Sequence, residues 1–418
     1  MSTLKAAPEP VAALDRQDER LRSQTGAQGA IAGFTDRVRS GDLGPLPVIV
    51  GLVVIWGIFE ILNPVFLSSA NLVNLTLESC PVGVISLGIV CVLLVGQIDL
   101  SVGSVSGLSA AILSVLFVNH GWPALLAILA AIVVACGIGW LYGQLFTRFG
   151  MPSFVSTLAG LLAFLGLQLY LLGDVGSVNL PFTSPLVMFA QAYFVPTALA
   201  YVFAIVAAAG FVAARYRRAV TRRRAELSAT STGSLILQGA LALIALEFIT
   251  WYLNKSSGVG WMFVFFIALV AVMHYCFTRT RWGRSVFAVG GGAEAARRAG
   301  INVRRVYVSC FVLCSALAAI GGVLGAARLA SASQDSGTGD VNLDAISAAV
   351  IGGTSLFGGR GSASSALLGI IVIQSISSGL TLLNLTSSYR FMITGVVLAL
   401  AVLVDSLARR SRASHGRA

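Results

Sequence analysis

Twelve apolar runs follow one another along this chain with only short polar links between them, and most approach the ~20 residues that a helix needs to cross a bilayer. They lie at 46–62, 82–98, 102–118, 124–146, 154–172, 194–214, 235–253, 259–277, 306–329, 346–357, 363–383 and 391–407. In hydrocarbon every backbone N–H and C=O must be paired inside the protein, so runs of this length read as helices. The pattern predicts an all-α, multi-pass membrane bundle. Composition agrees, since 56% hydrophobic residues, 11% charged residues and a mean hydropathy of +0.87 leave too little polar surface for a water-soluble globule of this size.

Charge sets the expected orientation. Alternating the runs from a cytoplasmic N-terminus puts 25 of the 28 Lys and Arg inside, the exceptions being Lys255, Arg328 and Arg390. Trp122, Trp251 and Trp261 then fall at outer boundaries and Trp282 at an inner one. Residues 1–45 hold six basic and six acidic side chains and lack a continuous apolar stretch, which predicts a disordered cytoplasmic tail followed by a signal anchor at 46–62. Residues 408–418 read as a second cytoplasmic tail. The basic residues serve topology; they lack the interleaved aromatics of a nucleic-acid surface. The arginine run from Arg215 to Arg224 also suits anionic lipid head groups.

Between two of the spans lies a polar island, 279–305, with Arg279, Arg281, Arg284, Arg297, Arg298, Arg304 and Arg305 set against Glu294 alone. Within it Glu294, Ala295, Ala296, Arg297, Arg298 and Gly300 belong to a two-turn helix candidate with one small face and one charged face. So short a helix is not stable alone and is suited to docking in a groove of another protein. Gly290, Gly292 and Ala295 match a dinucleotide-binding spacing, but no second strand and no acidic residue about twenty positions on accompany them.

Several functions are excluded by residue type. The two lysines, Lys5 and Lys255, follow no glycine-rich loop, so ATP hydrolysis falls to another chain. His120, His274 and His415 are far apart, and the six cysteines lie in or beside apolar runs without metal or disulfide spacing.

Two runs are irregular. Gln97, Asp99, Ser101 and Ser104 interrupt an apolar stretch, where polar groups are expensive unless they have a task; Asp99 is either an N-cap of the next span or part of a polar path. The run 346–357 has twelve residues and ends in Gly358-Gly359-Arg360-Gly361, which predicts a half-helix that enters and turns back. Glycines at helical spacing, as in Gly321, Gly322 and Gly325, predict close helix packing. Four-span blocks of opposite sense fit inverted repeats by count.

Four segments in order, GQIDLSVGS (96–104), GRSVFAVGGGAEAARRAGINV (283–303), ARLASASQDSGTGDVNLDAI (327–346) and AVIGGTSLFGGRGS (349–362), together resemble the sugar permeases of bacterial ATP-binding-cassette importers. The branch takes up ribose, xylose, galactose and related sugars, and the long middle section with two extra spans is most similar to the xylose type. The resemblance implies an inner-membrane permease homodimer, a cytoplasmic ATP-binding subunit and a periplasmic sugar-binding protein that selects the sugar. This chain itself then needs no cofactor, and 294–300 is the coupling helix. A neutral sugar calls for hydroxyl and amide partners, of which Gln97, Asp99, Ser101, Ser104, Thr354, Ser355, Gln374 and Asn384 are the path candidates. The rival reading is an ion-coupled secondary transporter, for which Asp99, Glu247 and His274 are the available proton carriers.

Overall fold

The computed structural model describes residues 46–386 apart from 228, with 388, 389, 392–396, 399, 400 and 403. The tails expected at 1–45 and 408–418, and most of the run 391–407, lie outside these residues. Among the described residues nine helices are long and apolar enough to cross a membrane, and two further apolar helices are shorter. The all-α membrane bundle is therefore the observed class.

The first helix, α1 (Leu46–Leu62), has the expected bounds. The second, α2 (Ser69–Leu94), starts thirteen residues before the expected Val82. Ser68 caps it by accepting from the Asn71 N–H at 3.3 Å. Pro81 lies inside α2, and the hydroxyls of Thr76 and Ser79 turn back onto the Val73 and Leu75 carbonyls at 2.7 Å, which spares the bundle free donors. The chain then unwinds over 95–101. Next come α3 (Val102–Ser114), which passes into a single π-turn at Val115–Asn119, α4 (Ala124–Phe149) and α5 (Ser153–Leu172). Gly150 in the left-handed region ends α4, and Pro152 opens α5, so the link between them is tight.

A strand, β1 (Ser177–Asn179), and a short helix, α6 (Pro185–Gln191), lead to residues 196–254, which form a compact unit of their own. That unit is a pair of helices, α7 (Thr197–Arg224) and α8 (Thr232–Leu253). The expected span ends at 214, yet α7 runs on through the arginines, because Arg is a good helix former and these side chains are exposed to water. Gly239 of α8 admits Val212 of α7, and the Arg215 guanidinium donates to Gln238.

The remaining elements rejoin the main bundle: α9 (Trp261–Arg279), α10 (Arg281–Gly291), α11 (Ala293–Arg298), α12 (Val303–Leu329), β2 (Ser331–Ser333), α13 (Val341–Ile351) and α14 (Ala363–Leu382). Helix α12 is the hub, buried against α2, α3 and α4. Glycines make that possible: a side chain at Gly139 would overlap the Phe311 carbonyl, and one at Gly322 the Ser106 carbonyl. β1 and β2 pair antiparallel, Val178 opposite Ala332, at the end of the bundle opposite α10 and α11. From β2 the chain descends along α3, held where the Gln168 amide of α5 donates to the carbonyls of Ser333 and Ser336 at 2.9 Å and of Gln334 at 3.4 Å.

The short run is a half-helix displaced from its expected position. Helix α13 occupies 341–351, and 352–362 is irregular backbone in which Gly353, Gly358, Gly359 and Gly361 all have positive φ. With the break at 95–101 this gives two interrupted crossings. Such backbone occurs at membrane depth only where protein or water covers it.

Candidate functional site

The polar island folds into two helices with a sharp bend between them. Thr280 caps α10 through the Gly283 N–H at 3.1 Å, Trp282 donates its indole N–H to the Ser309 hydroxyl of α12 at 2.8 Å, and its ring stacks on Phe277 of α9. Helix α10 is thus fixed to two spanning helices. In α11 Glu294 receives Arg297 at 2.7 Å and Arg298 at 3.4 Å, exposed pairs that order the helix and add little stability. Gly300, at φ +81°, stops it, with its N–H bonded to the Arg297 carbonyl at 3.0 Å.

The small face of α11 is divided. Ala296 is 3% exposed and packs inward, whereas Ala295 and Ala299 face solvent beside Glu294 and Arg298. The Ala295 side is the exposed one.

Behind α10 three backbone segments meet without side chains. Gly359 donates to the Leu94 carbonyl at 2.9 Å, while a side chain at Gly290 would overlap that same carbonyl and crowd the Gly359 N–H. Gly358 lies against Gly96 and the Gly290 carbonyl. The end of α10 therefore sits directly on both interruptions, the one after α2 and the one after α13.

The eight path candidates separate into three places. Gln97, Asp99, Ser101 and Ser104 occupy the break and the start of α3. Asp99 is 1% exposed; its Oδ1 accepts from the Ser101 N–H at 2.8 Å and hydroxyl at 2.7 Å, and its Oδ2, lying beside the Cys314 thiol, has no conventional partner among the described residues. Asp99 thus makes a local turn ahead of α3 instead of capping its first turn. Ser104 donates to the Ser101 carbonyl at 2.9 Å. Thr354 and Ser355 are buried within the 352–362 turn, where the Ser355 hydroxyl accepts from the Phe357 N–H at 3.3 Å. This turn touches the break through Gly96. Gln374 stands apart on α14, and Asn384 is exposed beyond the end of α14 at φ +55°, in the position of a helix stop.

Gln374 has a partner that the apolar runs do not reveal. Its side-chain N–H donates to the Glu78 carboxylate of α2 at 2.6 Å. Glu78 falls outside the expected span because that span begins at Val82; the signal available is Ser68 ahead of an unbroken helical stretch, in which Asn71, Asn74 and Glu78 share one face.

Interrupted spanning helices, joined at their breaks to a short exposed helix outside the bundle, define the membrane domain of a transporter. Residues 71–402 match the family described as the branched-chain amino acid transport system permease component, and the chain belongs to that family. It is 32% identical over 345 residues to the xylose transport system permease protein of Escherichia coli K12, covering 82% of this chain and 87% of that one. The xylose permease of Haemophilus influenzae is 31% identical over 373 residues, 88% of this chain and 98% of its own. The ribose import permease of Bacillus subtilis is 30% identical over 363 residues, 87% and 92% of the two chains. No solved structure matches the chain. It is a multi-pass inner-membrane permease of the sugar-importer type.

Proposed function

We propose that this chain is the permease subunit of an ATP-binding-cassette importer that passes a neutral monosaccharide, a xylose-type pentose, across the bacterial inner membrane. The observation that carries the reading is the glycine-packed contact of Gly290 with Leu94 and Gly359, which gives an exposed docking helix a short rigid route to the two broken crossings. A cytoplasmic ATP-binding subunit docks on the Ala295 side of α11. When the subunit closes on ATP, α11 and α10 move as one piece and bias the bundle between outward- and inward-open arrangements. A periplasmic binding protein delivers a sugar already selected, and the permease works as a homodimer. Anionic lipid head groups neutralise the exposed arginines from Arg215 to Arg224. The chain performs no hydrolysis itself, and ATP is held by the partner.

The chemistry of the path candidates and the names of the relatives support this substrate class. Hydroxyls and amides such as Ser101, Ser104 and Gln374 match a neutral polyol, and each interaction is weak enough to release it.

Vesicles reconstituted with the chain and its ATP-binding and sugar-binding partners test this reading. Uptake of labelled xylose that requires ATP on the ATPase side, and that survives collapse of proton and sodium gradients, is the expected result. Uptake driven by either gradient without ATP supports the secondary-transporter reading and overturns this one.

A further inference from the structure

Glu78 is an exposed carboxylate on a helix in which 17 of 26 residues are buried, and it lies nine residues into that crossing. A carboxylate at that depth is not suited to lipid, so water, protein or a polar ligand must cover it. Its neighbours point to a ligand. Asn71, Asn74 and Glu78 recur at helical spacing on α2, and Gln374, Ser378 and Thr381 do the same on the adjoining face of α14. Cross-bonds hold the two rows in register: Gln374 donates to Glu78 at 2.6 Å, and the Ser378 hydroxyl donates to Asn71 at 3.0 Å. Those bonds leave capacity unspent, namely one Glu78 oxygen, the second amide N–H and the carbonyl of Gln374, and the exposed Asn74. Towards α10 the same partly exposed strip becomes apolar, at Val82 on α2 and at Leu367, Leu368 and Ile371 on α14.

We propose that this face holds the sugar during translocation, with Glu78 accepting a hydroxyl proton in a hydrogen bond, Gln374 and Asn74 donating to and accepting from adjacent hydroxyls, and the apolar strip below closing the path. The proposal rests on the sugar-importer reading above and assigns its substrate contact. The two rows offer donors and acceptors side by side, as neighbouring hydroxyls require, and the negative charge of Glu78 disfavours anionic sugars. Two unlike rows, one with a carboxylate and one with an amide, also distinguish this surface from a seam of small residues made for helix packing.

The test uses the whole importer in vesicles. Glu78→Gln, Glu78→Ala and Gln374→Leu alter side chains that are not in the closed core, so assembly with the ATPase is expected to be kept, and co-purification checks it. The result expected is uptake lowered on the order of tenfold for each truncation, the scale of one lost charge-assisted hydrogen bond, with ATP hydrolysis stimulated by the loaded binding protein retained. Glu78→Gln, which keeps the shape and loses the charge, is expected to fall between. Asn74→Cys is expected to react with a water-soluble thiol reagent and to be slowed by sugar. Normal uptake in all three variants overturns the proposal, and so does an unreactive Asn74→Cys that instead cross-links to a second copy, since that face would then be a dimer seam. Absence of uptake in the unaltered importer refutes the sugar-import reading itself, a distinct outcome.

Discussion

The backbone N–H of Gly359 bonds to the carbonyl of Leu94 at 2.9 Å, tying the turn after the half-helix α13 to the point where α2 unwinds. Gly290, at the end of α10, fits closely beside that bond, because any side chain there would overlap the Leu94 oxygen. A movement of α10 therefore reaches both broken crossings through backbone contacts.

Gly290→Ala should consequently destabilise the bundle by about 1–3 kcal/mol through overpacking, or force the breaks apart. Its neighbour Gly291 has open space, with no atom within 4 Å, where a methyl group would stand, so Gly291→Ala should be silent. Thermal unfolding in detergent together with sugar uptake checks the pair. Equal behaviour of the two variants would contradict the packing account.

The two alanines of α11 should respond differently. Ala296→Leu enlarges a residue that is 3% exposed and should loosen the bend between α10 and α12. Ala295→Trp alters only the solvent-facing side, and should leave the fold intact while weakening ATPase association on the order of tenfold or more. Unfolding midpoints and co-purification yields separate the two effects.

Gln168→Leu removes three hydrogen bonds to residues 333–336 and sets an apolar side chain against their carbonyls, of which that of Ser333 keeps a backbone donor, the Ser336 N–H. The expected loss is about 1–3 kcal/mol, and amide exchange over 333–340 should accelerate before that of α12 does. Unchanged exchange there would mean that the β1–β2 pair alone fixes the segment.

Asp99→Asn keeps the oxygen that accepts from Ser101, so the turn ahead of α3 should survive and uptake should stay near that of the unaltered chain. Asp99→Ala loses both bonds and should cost about 1–2 kcal/mol of stability. A collapse of uptake in Asp99→Asn with stability unchanged would favour proton coupling through this carboxyl over ATP drive.

Much of the fold is legible in the sequence because lipid demands long apolar helices. α1, α4 and α5 begin where the hydropathy changes, within a residue, and α11 forms where Ala and Arg precede a stop glycine. The start of α2 is illegible by the same signal: Asn71, Asn74, Glu78 and Pro81 lower its hydropathy, yet they lie on a helix that packs against α12 and α14. The arginines after 214 look like a loop and are a helix, because exposure to water satisfies them without ending the turn pattern.

The site is legible in parts. Polar residues at 97–104 and the glycines at 358–361 mark the two breaks, but nothing local says that Gly359 reaches Leu94 or that Gln374 reaches Glu78, a partner 296 residues away. Thr354, Ser355 and Asn384 carry side chains of the right chemistry whose positions belong to turns. Residue type identifies what can bond, whereas tertiary packing decides what it bonds to.

The most direct test of ATP-driven import is gentle affinity purification of the chain from its own membrane, with mass spectrometry of what remains bound. A stoichiometric ATP-binding subunit that is lost from Ala295→Trp and kept in Gly291→Ala is the expected result. A chain that purifies without an ATPase, yet moves sugar into vesicles on an ion gradient, would contradict ATP-driven import.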